Sequence, residues 1–402
     1  HSIQEEMKLP KPLEGLFVLD LTRVLAGPFC TMLLCDMGAT VVKVERPDGG
    51  DDSRSFSPMI GDESAYFMSI NRGKKSITLN LKSPEGKGLF ERLVGKADVL
   101  VENFKPGVMK KLGFPYERLK ELNPSLIYTA SSGFGHSGPM SQRTAYDLII
   151  QGLSGMMSIT GPDRDHPTKT GSSIADIFCG TFACIGILAA LHNRYNTGEG
   201  QMVDVAMLDS MVAVLENAIA RFSATGKIPE PIGNSHPSIA PFASFATLDG
   251  QINIAVGNDS IWHKFCTAIE RPELCEDPKF STNPERVRNI TELTQIISVT
   301  LAEKTTRDWL DIFQELDIPS GRINNIADLF NDPQVLAREM IVDVPQKGFN
   351  VKMPGVPIKF SATPAGIGGP APSLGEHNGE IYMKLLGLSF EELEEFKNRG
   401  VI

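Results

Sequence analysis

The chain has 402 residues, 39 basic against 49 acidic, for a formal net charge of −10, with 37 Gly and 27 Pro. Its 41% hydrophobic and 22% charged content excludes a fibrous chain and wholesale disorder, and the length suits two or three domains. An acidic balance argues against sequence-independent nucleic-acid binding, and the best strictly apolar run, 185–191, falls well short of the roughly 18–20 residues of a membrane span.

In chain order, 17–21 is a short apolar strand, 26–37 a helix with Pro28 near its start and Gly38 at its end, and 41–45 a second strand. Strand, helix and strand within about 30 residues predict a right-handed βαβ unit and a parallel sheet. The alternation continues with a strand at 77–81, a helix at 84–95, a strand at 99–103, a helix at 116–122 and a strand at 126–131. This pattern predicts a doubly wound, Rossmann-like α/β domain that binds ligands at the C-terminal ends of its strands. Helices follow at 147–159 and 174–196, both with small and apolar residues on most faces, so both are expected to be buried. A strand at 202–206 and a helix at 208–224 complete this part.

From 226 to 241 the composition shifts to Gly, Pro, Ser and Asn, the signature of a linker. A hairpin at 242–256 turning at Asp249-Gly250, then helices at 260–269, 289–304 and 306–316, predict a smaller α+β domain over 242–330. A second linker is expected at 331–355, with 350–375 rich in Pro and Gly, and 356–402 returning to the large domain begun at 1–225. Acidic helical segments at 379–386 and 390–397 close the chain.

The six cysteines, Cys30, Cys35, Cys179, Cys184, Cys266 and Cys275, show no CxxC pair and no His at ligand spacing. They are too sparse for a disulfide scaffold and are expected to be buried free thiols in a reducing compartment. The opening His1-Ser2 without Met reads as a remnant of added sequence, with any targeting segment removed.

Gly133-Phe-Gly-His-Ser-Gly138 matches GxGxxG after a strand, but Pro139 and polar residues follow where a dinucleotide site needs a helix to begin. Tight turns in an α/β sheet are the simpler reading. Cations gather near the predicted strand ends: Arg46, then Arg72, Lys74 and Lys75, then Lys82, then Lys105, Lys110 and Lys111. Singly each reads as a solvated surface residue; as a group they form a rim suited to several phosphates. Asp176, between Gly171-Ser-Ser173 and an apolar helix, reads either as a helix-start acid facing the dipole or as a nucleophile. Backbone N–H groups there could stabilise an oxyanion. His136 and His236 lie in Gly-rich loops, with loop structure weighed against substrate contact.

Several segments together resemble the family III CoA-transferases, the formyl-CoA and carnitine CoA-transferase group. They are Val18-Leu-Asp-Leu-Thr-Arg-Val-Leu-Ala-Gly-Pro28, Val42-Lys-Val-Glu-Arg-Pro47, Asn71-Arg-Gly-Lys-Lys-Ser76 and Ala97-Asp-Val-Leu-Val-Glu-Asn-Phe-Lys-Pro-Gly107. They continue with Ala145-Tyr-Asp147, Ile174-Ala-Asp-Ile177, Thr197-Gly-Glu-Gly-Gln-Met-Val-Asp-Val205, Gly233-Asn-Ser-His-Pro-Ser-Ile-Ala-Pro241 and Ile254-Ala-Val-Gly-Asn258. The resemblance runs in unbroken order from about residue 13 to the C-terminus, and the pattern looks most like the mitochondrial branch that uses succinyl-CoA and glutarate or hydroxymethylglutarate.

The resemblance implies an interlocked homodimer of open-ring subunits, with a large domain built from both chain ends and a small domain joined by two linkers. It implies Asp176 as nucleophile and CoA contacts from Val24, Leu25, Arg46, Lys82, Asn103, Phe104, Lys111, Phe134 and Tyr146. The position of Lys111 is often Arg in the family, which exchanges a fork for a point charge. It further implies acyl-CoA and a dicarboxylate as substrates, no permanently bound cofactor, no metal, no nucleic acid or membrane partner, and a mitochondrial location. Arg72 is a candidate for the acceptor's second carboxylate. His236, Gly257 and Asn258 are candidates for substrate contact or for a closing loop that keeps water from the intermediate.

Two rivals share these features. An α-methylacyl-CoA racemase needs a His at the position of Tyr146, and a phenol with a reference pKa of about 10 is a poor base near neutrality. A catalytically inactive CoA-binding protein would have no use for Asp176 beside the whole basic rim.

Overall fold

The computed structural model describes residues 10–402, so His1 and Ser2 lie outside the described residues. The chain divides into two compact units: one of residues up to Met156 with Lys169–Thr225 and Pro333–Ile402, the other of Met157–Thr168 and Gly226–Asp332.

The first unit is built on a six-stranded sheet. Its strands are β1 (Phe17–Asp20), β2 (Thr40–Glu45), β3 (Lys75–Thr78), β4 (Val99–Glu102), β5 (Ile127–Ser132) and β6 (Met202–Ala206), in the spatial order β3-β2-β1-β4-β5-β6. All five pairings are parallel. Parallel strands covered on both faces read as continuous apolar runs, and β4 and β5 are buried at every position. The strand order reverses direction at β1, so the crevice between the C-terminal ends of β1 and β4 is the topological switch point, where a doubly wound sheet binds its ligand.

Helices α1 (Ala26–Asp36), α2 (Ala65–Asn71), α3 (Pro84–Val94), α4 (Val108–Leu112) and α5 (Tyr116–Leu122) connect the first strands. Ser83 caps α3 by accepting from Gly86 N at 3.0 Å, with Pro84 at its first position. Beyond β5 come α6 (Asp147–Leu153), α7 (Ile174–Thr197), α8 (Met207–Ala213) and α9 (Glu216–Thr225). The predicted helix at 147–159 thus stops at Leu153, and the one at 208–224 is broken in two at Val214. The predicted strand at 77–81 is displaced toward the N-terminus, because β3 pairs through Lys75 to Thr78.

Helix α7 departs most from expectation. By length and composition it could cross a membrane, since small residues keep its 24-residue span apolar where a count of strictly apolar runs misses it. It is buried along one stripe only, through Ala175, Cys179, Gly180, Ala183, Cys184, Ile187 and Ala190. Phe178, Ile185 and Tyr195 on its other face are exposed. A hairpin of β10 (Ile341–Pro345) and β11 (Asn350–Pro354) occupies much of the segment expected as the second linker. Its Val344 and Met353 pack on Phe67 and Met68 of α2. The chain end packs beside the sheet: Tyr382 Oη donates to Thr78 O at 2.7 Å, and Val401 and Ile402 are buried.

The second unit has a three-stranded antiparallel sheet of β7 (Phe242–Ala246), β8 (Gln251–Ala255) and β9 (Ser320–Arg322), with β8 in the middle. Helices α10 (Asp259–Ala268), α11 (Ile290–Leu301) and α12 (Thr306–Glu315) pack Trp262, Phe265, Trp309 and Phe313 into its core. Residues 157–168, leaving α6 and returning before α7, belong to this unit, which no local pattern in the sequence marked.

Candidate active site

The loop from β1 to α1 carries Thr22 to Leu25 across the switch point. Asn103, immediately after β4, accepts from Arg23 N at 2.9 Å and donates to Arg23 O at 2.7 Å, so its amide closes both hydrogen-bonding groups of one residue. The next residue, Val24, has φ +65°, a left-handed conformation that is an outlier for a β-branched side chain. Val24 N donates to Asp51 Oδ1 at 3.2 Å. Phe104 N is held by Glu102 Oε2 at 2.7 Å, and burial pushes the Glu102 carboxyl up to about 7.

Two cavities open at these strand ends. The larger, about 970 Å³, runs past the C-terminal ends of β1, β2 and β3 and is lined by Arg46, Lys82, Lys105, Asn80 and Phe104 among others. The smaller, about 290 Å³, is lined by Val24, Leu25, Ala26, Asn103, Ser132, Gly133, Arg143, Tyr146 and Asp176. Arg23, Phe104 and Lys105 line both and mark the passage between them.

Asp176 is the third residue of α7, half-buried. The residue before that helix, Ser173, makes no side-chain cap. The cap comes instead from α6: Asp147 Oδ1 accepts from Ala175 N at 2.9 Å while its Oδ2 accepts from Gln151 Nε2 at 2.8 Å. Buried Gln151 in turn accepts from Thr170 N at 3.0 Å, so one carboxylate and one amide tie the incoming loop to the start of α7. Burial, and then the Asp147 charge, raise the Asp176 carboxyl to about 7. Tyr66 on α2 lies within electrostatic reach of Asp176, and burial first, with Asp176 second, raises its phenol to about 12. Neither Asp147 nor Tyr66 was assigned a role from sequence; Asp147 was visible only as the end of the Ala145-Tyr-Asp147 motif.

The anticipated site residues separate. Val24, Leu25, Arg46, Lys82, Asn103, Phe104, Tyr146 and Asp176 line one or both cavities. Lys111 is exposed on α4 and lines neither. Phe134 is buried in a core cluster with Ala175, Cys179 and Met207 and lines neither cavity. Arg72 is not open to a substrate carboxylate: its guanidinium is buried, bonds Asp36 Oδ2 at 2.8 Å and reaches Pro354 O. His236, Gly257 and Asn258 belong to the second unit. There Asn258 caps α10 through Ile261 N at 2.9 Å, and the His236 ring packs 5.2 Å from Phe242.

The cationic rim also divides. Of its eight members, Arg46, Lys82 and Lys105 line the large cavity. Lys74 is buried against Asp20 Oδ2 at 3.2 Å, Lys75 pairs with Glu380, and Lys110 and Lys111 stand exposed on α4. No helix starts at Gly133–Gly138; that stretch is turns until α6, and a Cβ at Gly133 would meet the Ala145 Cβ at 2.3 Å. A dinucleotide reading of the motif therefore has no helix N-terminus to use.

The chain matches the family described as CoA-transferase family III over residues 13–378. It is 39% identical to the human succinyl-CoA:glutarate CoA-transferase over 99% of this chain and 92% of that one. It is 45% identical to an acetyl-CoA:oxalate CoA-transferase of Acetobacter aceti over 87% and 89% respectively. The crystal structure of a CAIB/BAIF family protein from Brucella suis superposes with a TM-score of 0.84 at 42% identity, covering 94% of this chain and all of that one. With its sheet order, its switch-point cavities and these relatives agreeing, the chain belongs to CoA-transferase family III.

Proposed function

We propose that the protein moves CoA from succinyl-CoA to a dicarboxylic acid such as glutarate or hydroxymethylglutarate, through an acyl anhydride on Asp176. One observation carries this reading: a half-buried carboxylate at the start of α7 shares a cavity with the β1–α1 turn, and that cavity adjoins a larger one with Arg46, Lys82 and Lys105 on its wall. The human and Acetobacter relatives are both named for a dicarboxylic acceptor, which supports the substrate class.

In the proposed sequence an Asp176 carboxylate oxygen attacks the thioester carbonyl of succinyl-CoA. The C–S bond breaks, CoA leaves as thiolate, and succinyl and Asp176 share an anhydride. The acceptor carboxylate then attacks the Asp176 carbonyl, displacing succinate and leaving the acceptor acyl group on Asp176. Thiolate attack on that acyl carbonyl forms the new thioester and returns the Asp176 carboxylate. Each anhydride keeps the free energy of the thioester, so the exchange needs no external energy source.

Arg46, Lys82 and Lys105, on the larger cavity together with Arg23, are suited to the CoA phosphates, although Arg46 and Arg23 both also bond Asp52 at 3.1 Å. Arg143, on the wall of the smaller cavity with Asp176, suits a distal substrate carboxylate. The homodimer is supported by exposed apolar side chains of the first unit, among them Leu148, Ile149 and Leu153 of α6, Phe178 and Ile185 of α7, and Phe222 of α9. The large-and-small-domain arrangement is supported by the division into two units. Identity of this order extends to a bacterial enzyme, so a mitochondrial address does not follow from it.

The test is chemical trapping. Incubation with succinyl-CoA and hydroxylamine is expected to leave a hydroxamate on Asp176, and Asp176→Ala is expected to lose both adduct and transfer. An unmodified Asp176 in a chain active on glutarate would overturn the mechanism. Deuterium exchange at the substrate α-carbon without acyl transfer would favour the racemase instead.

A further inference from the structure

Three consecutive residues at the switch point are each held by a side chain from a different part of the first unit. Lys43 of β2 donates from Nζ to Thr22 O at 2.8 Å. Asn103, after β4, closes both the N–H and the carbonyl of Arg23. Asp51, in the loop after β2, accepts from Val24 N.

Lys43 and Asp51 are themselves an ion pair at 2.7 Å with both side chains fully buried, and Asp51 is fastened further by Ser53 N at 2.9 Å and Ser53 Oγ at 2.8 Å. Unpaired, either charge would be costly at such a site, so the pair has to be explained. The residue at the focus of this scaffold, Val24, is the one in a conformation that β-branched residues avoid. Strain of that kind persists only where its surroundings over-determine it. Here they do so at the cavity wall: Val24 and Leu25 face the space that Asp176 faces, and the turn sets the direction in which α1 begins at Ala26.

We propose that the buried Lys43–Asp51 pair, with Asn103, is a positioning device that holds the strained Val24 turn in the orientation that aligns the acyl thioester for attack by Asp176. The proposal rests on the transferase reading and adds to it Lys43 and Asp51, whose side chains are fully buried and touch no substrate. Its physical content is that the pair supplies what the Val24 side chain opposes. Glycine takes φ near +65° without penalty, so a glycine at this position makes the device redundant.

The experiment is a coupling measurement. Lys43→Met with Asp51→Leu replaces the pair by apolar side chains of similar size, an exchange buried pairs often tolerate. The rate of CoA release from succinyl-CoA in a single turnover is measured for this double variant, with Val24 intact and in a V24G background, each compared with its own parent. The expected loss is about 10- to 100-fold with Val24 in place, the scale of a misaligned reactant, and less than about threefold in the V24G background. Equal losses in the two backgrounds, tracking the melting temperature, would mean that the pair only supports folding and would overturn the proposal; so would an unchanged rate with Val24 intact.

Should the double variant not fold, Ser53→Ala removes the hydroxyl that fastens Asp51 beneath the same turn and leaves the buried pair in place. It is measured in the same two backgrounds with the same expected and overturning results. A wild-type chain that releases no CoA from succinyl-CoA would overturn the transferase reading itself, whereas a wild type that turns over with equal losses overturns only the positioning role.

Discussion

At the scale of single residues, the proposed chemistry turns on how one carboxylate is prepared. Asp176 is useful as a nucleophile only when ionised, and burial together with Asp147 holds its carboxyl near 7. The rate of acylation from free enzyme and substrate is therefore expected to fall as pH drops through about 7. Asp147→Asn keeps an oxygen to cap Ala175 N but removes the negative charge, so the acidic limb of kcat/KM moves to lower pH. A limb that stays put or moves upward, in CoA-release assays across the pH range, would show that Asp147 acts through geometry alone. Asp176 could be singled out from its neighbours in sequence, since a carboxylate between a Gly/Ser turn and an apolar helix is a local pattern. Asp147, 29 positions earlier, could not, because the contact that gives it a role exists only after α6 and α7 meet.

At the scale of elements, α1 and α7 decide where the two walls of the smaller cavity stand. They approach so closely at Gly180 that a Cβ there would lie 2.5 Å from Ala26 O and 3.2 Å from Cys30 N. The neighbour at that point is backbone, which yields less readily than a side chain. Gly180→Ala is expected to displace the start of α1, cost about 1–3 kcal/mol in urea denaturation, and slow acylation at Asp176 in the same variant. Full activity with unchanged stability would show that the helices separate freely. The elements themselves were largely legible: short apolar runs bounded by Gly and Pro marked β1, β2, β4, β5 and β6 correctly. The failures have local causes. Helix α6 stops early because residues 157–168 leave for the second unit, and the hairpin of Ile341–Pro345 and Asn350–Pro354 falls in the segment expected as the second linker.

At the scale of the whole molecule, a net charge of −10 coexists with a group of cations on one cavity, and so with the polyanion proposed for it. Arg46, Lys82 and Lys105 face the large cavity, while the chain end from Glu376 to Glu395 is rich in acids. Exposed charges act through a screened field, so Arg46→Ala and Lys82→Ala are each expected to raise KM for the acyl-CoA several-fold with little change in kcat. Added salt should raise the wild-type KM and narrow the gap between wild type and variants. A gap that persists in 0.5 M salt, about five times the ionic strength at which the Debye length is 10 Å, would point to direct bonding instead. Removal of Arg72 has a different expected outcome. It strands Asp36 in the core and is expected to cost about 3–5 kcal/mol of stability in denaturant titration, with KM for the acyl-CoA unchanged in the fraction that folds.

The sequence by itself determined the alternation of strands and helices and the parallel sheet, because each is written in neighbouring residues: apolar runs and the turn residues that bound them. What only the tertiary structure decided is which like residues do unlike things. Arg46 and Arg72 each follow the end of a strand or helix, yet one lines a cavity and the other is buried against Asp36. Val24 is an ordinary valine in sequence and a strained one at the cavity wall only because Lys43, Asp51 and Asn103 converge on its turn. The reason is physical: burial, pairing and strain belong to the space around a residue, and the partners that fill that space come from chain segments 20 to 80 positions away.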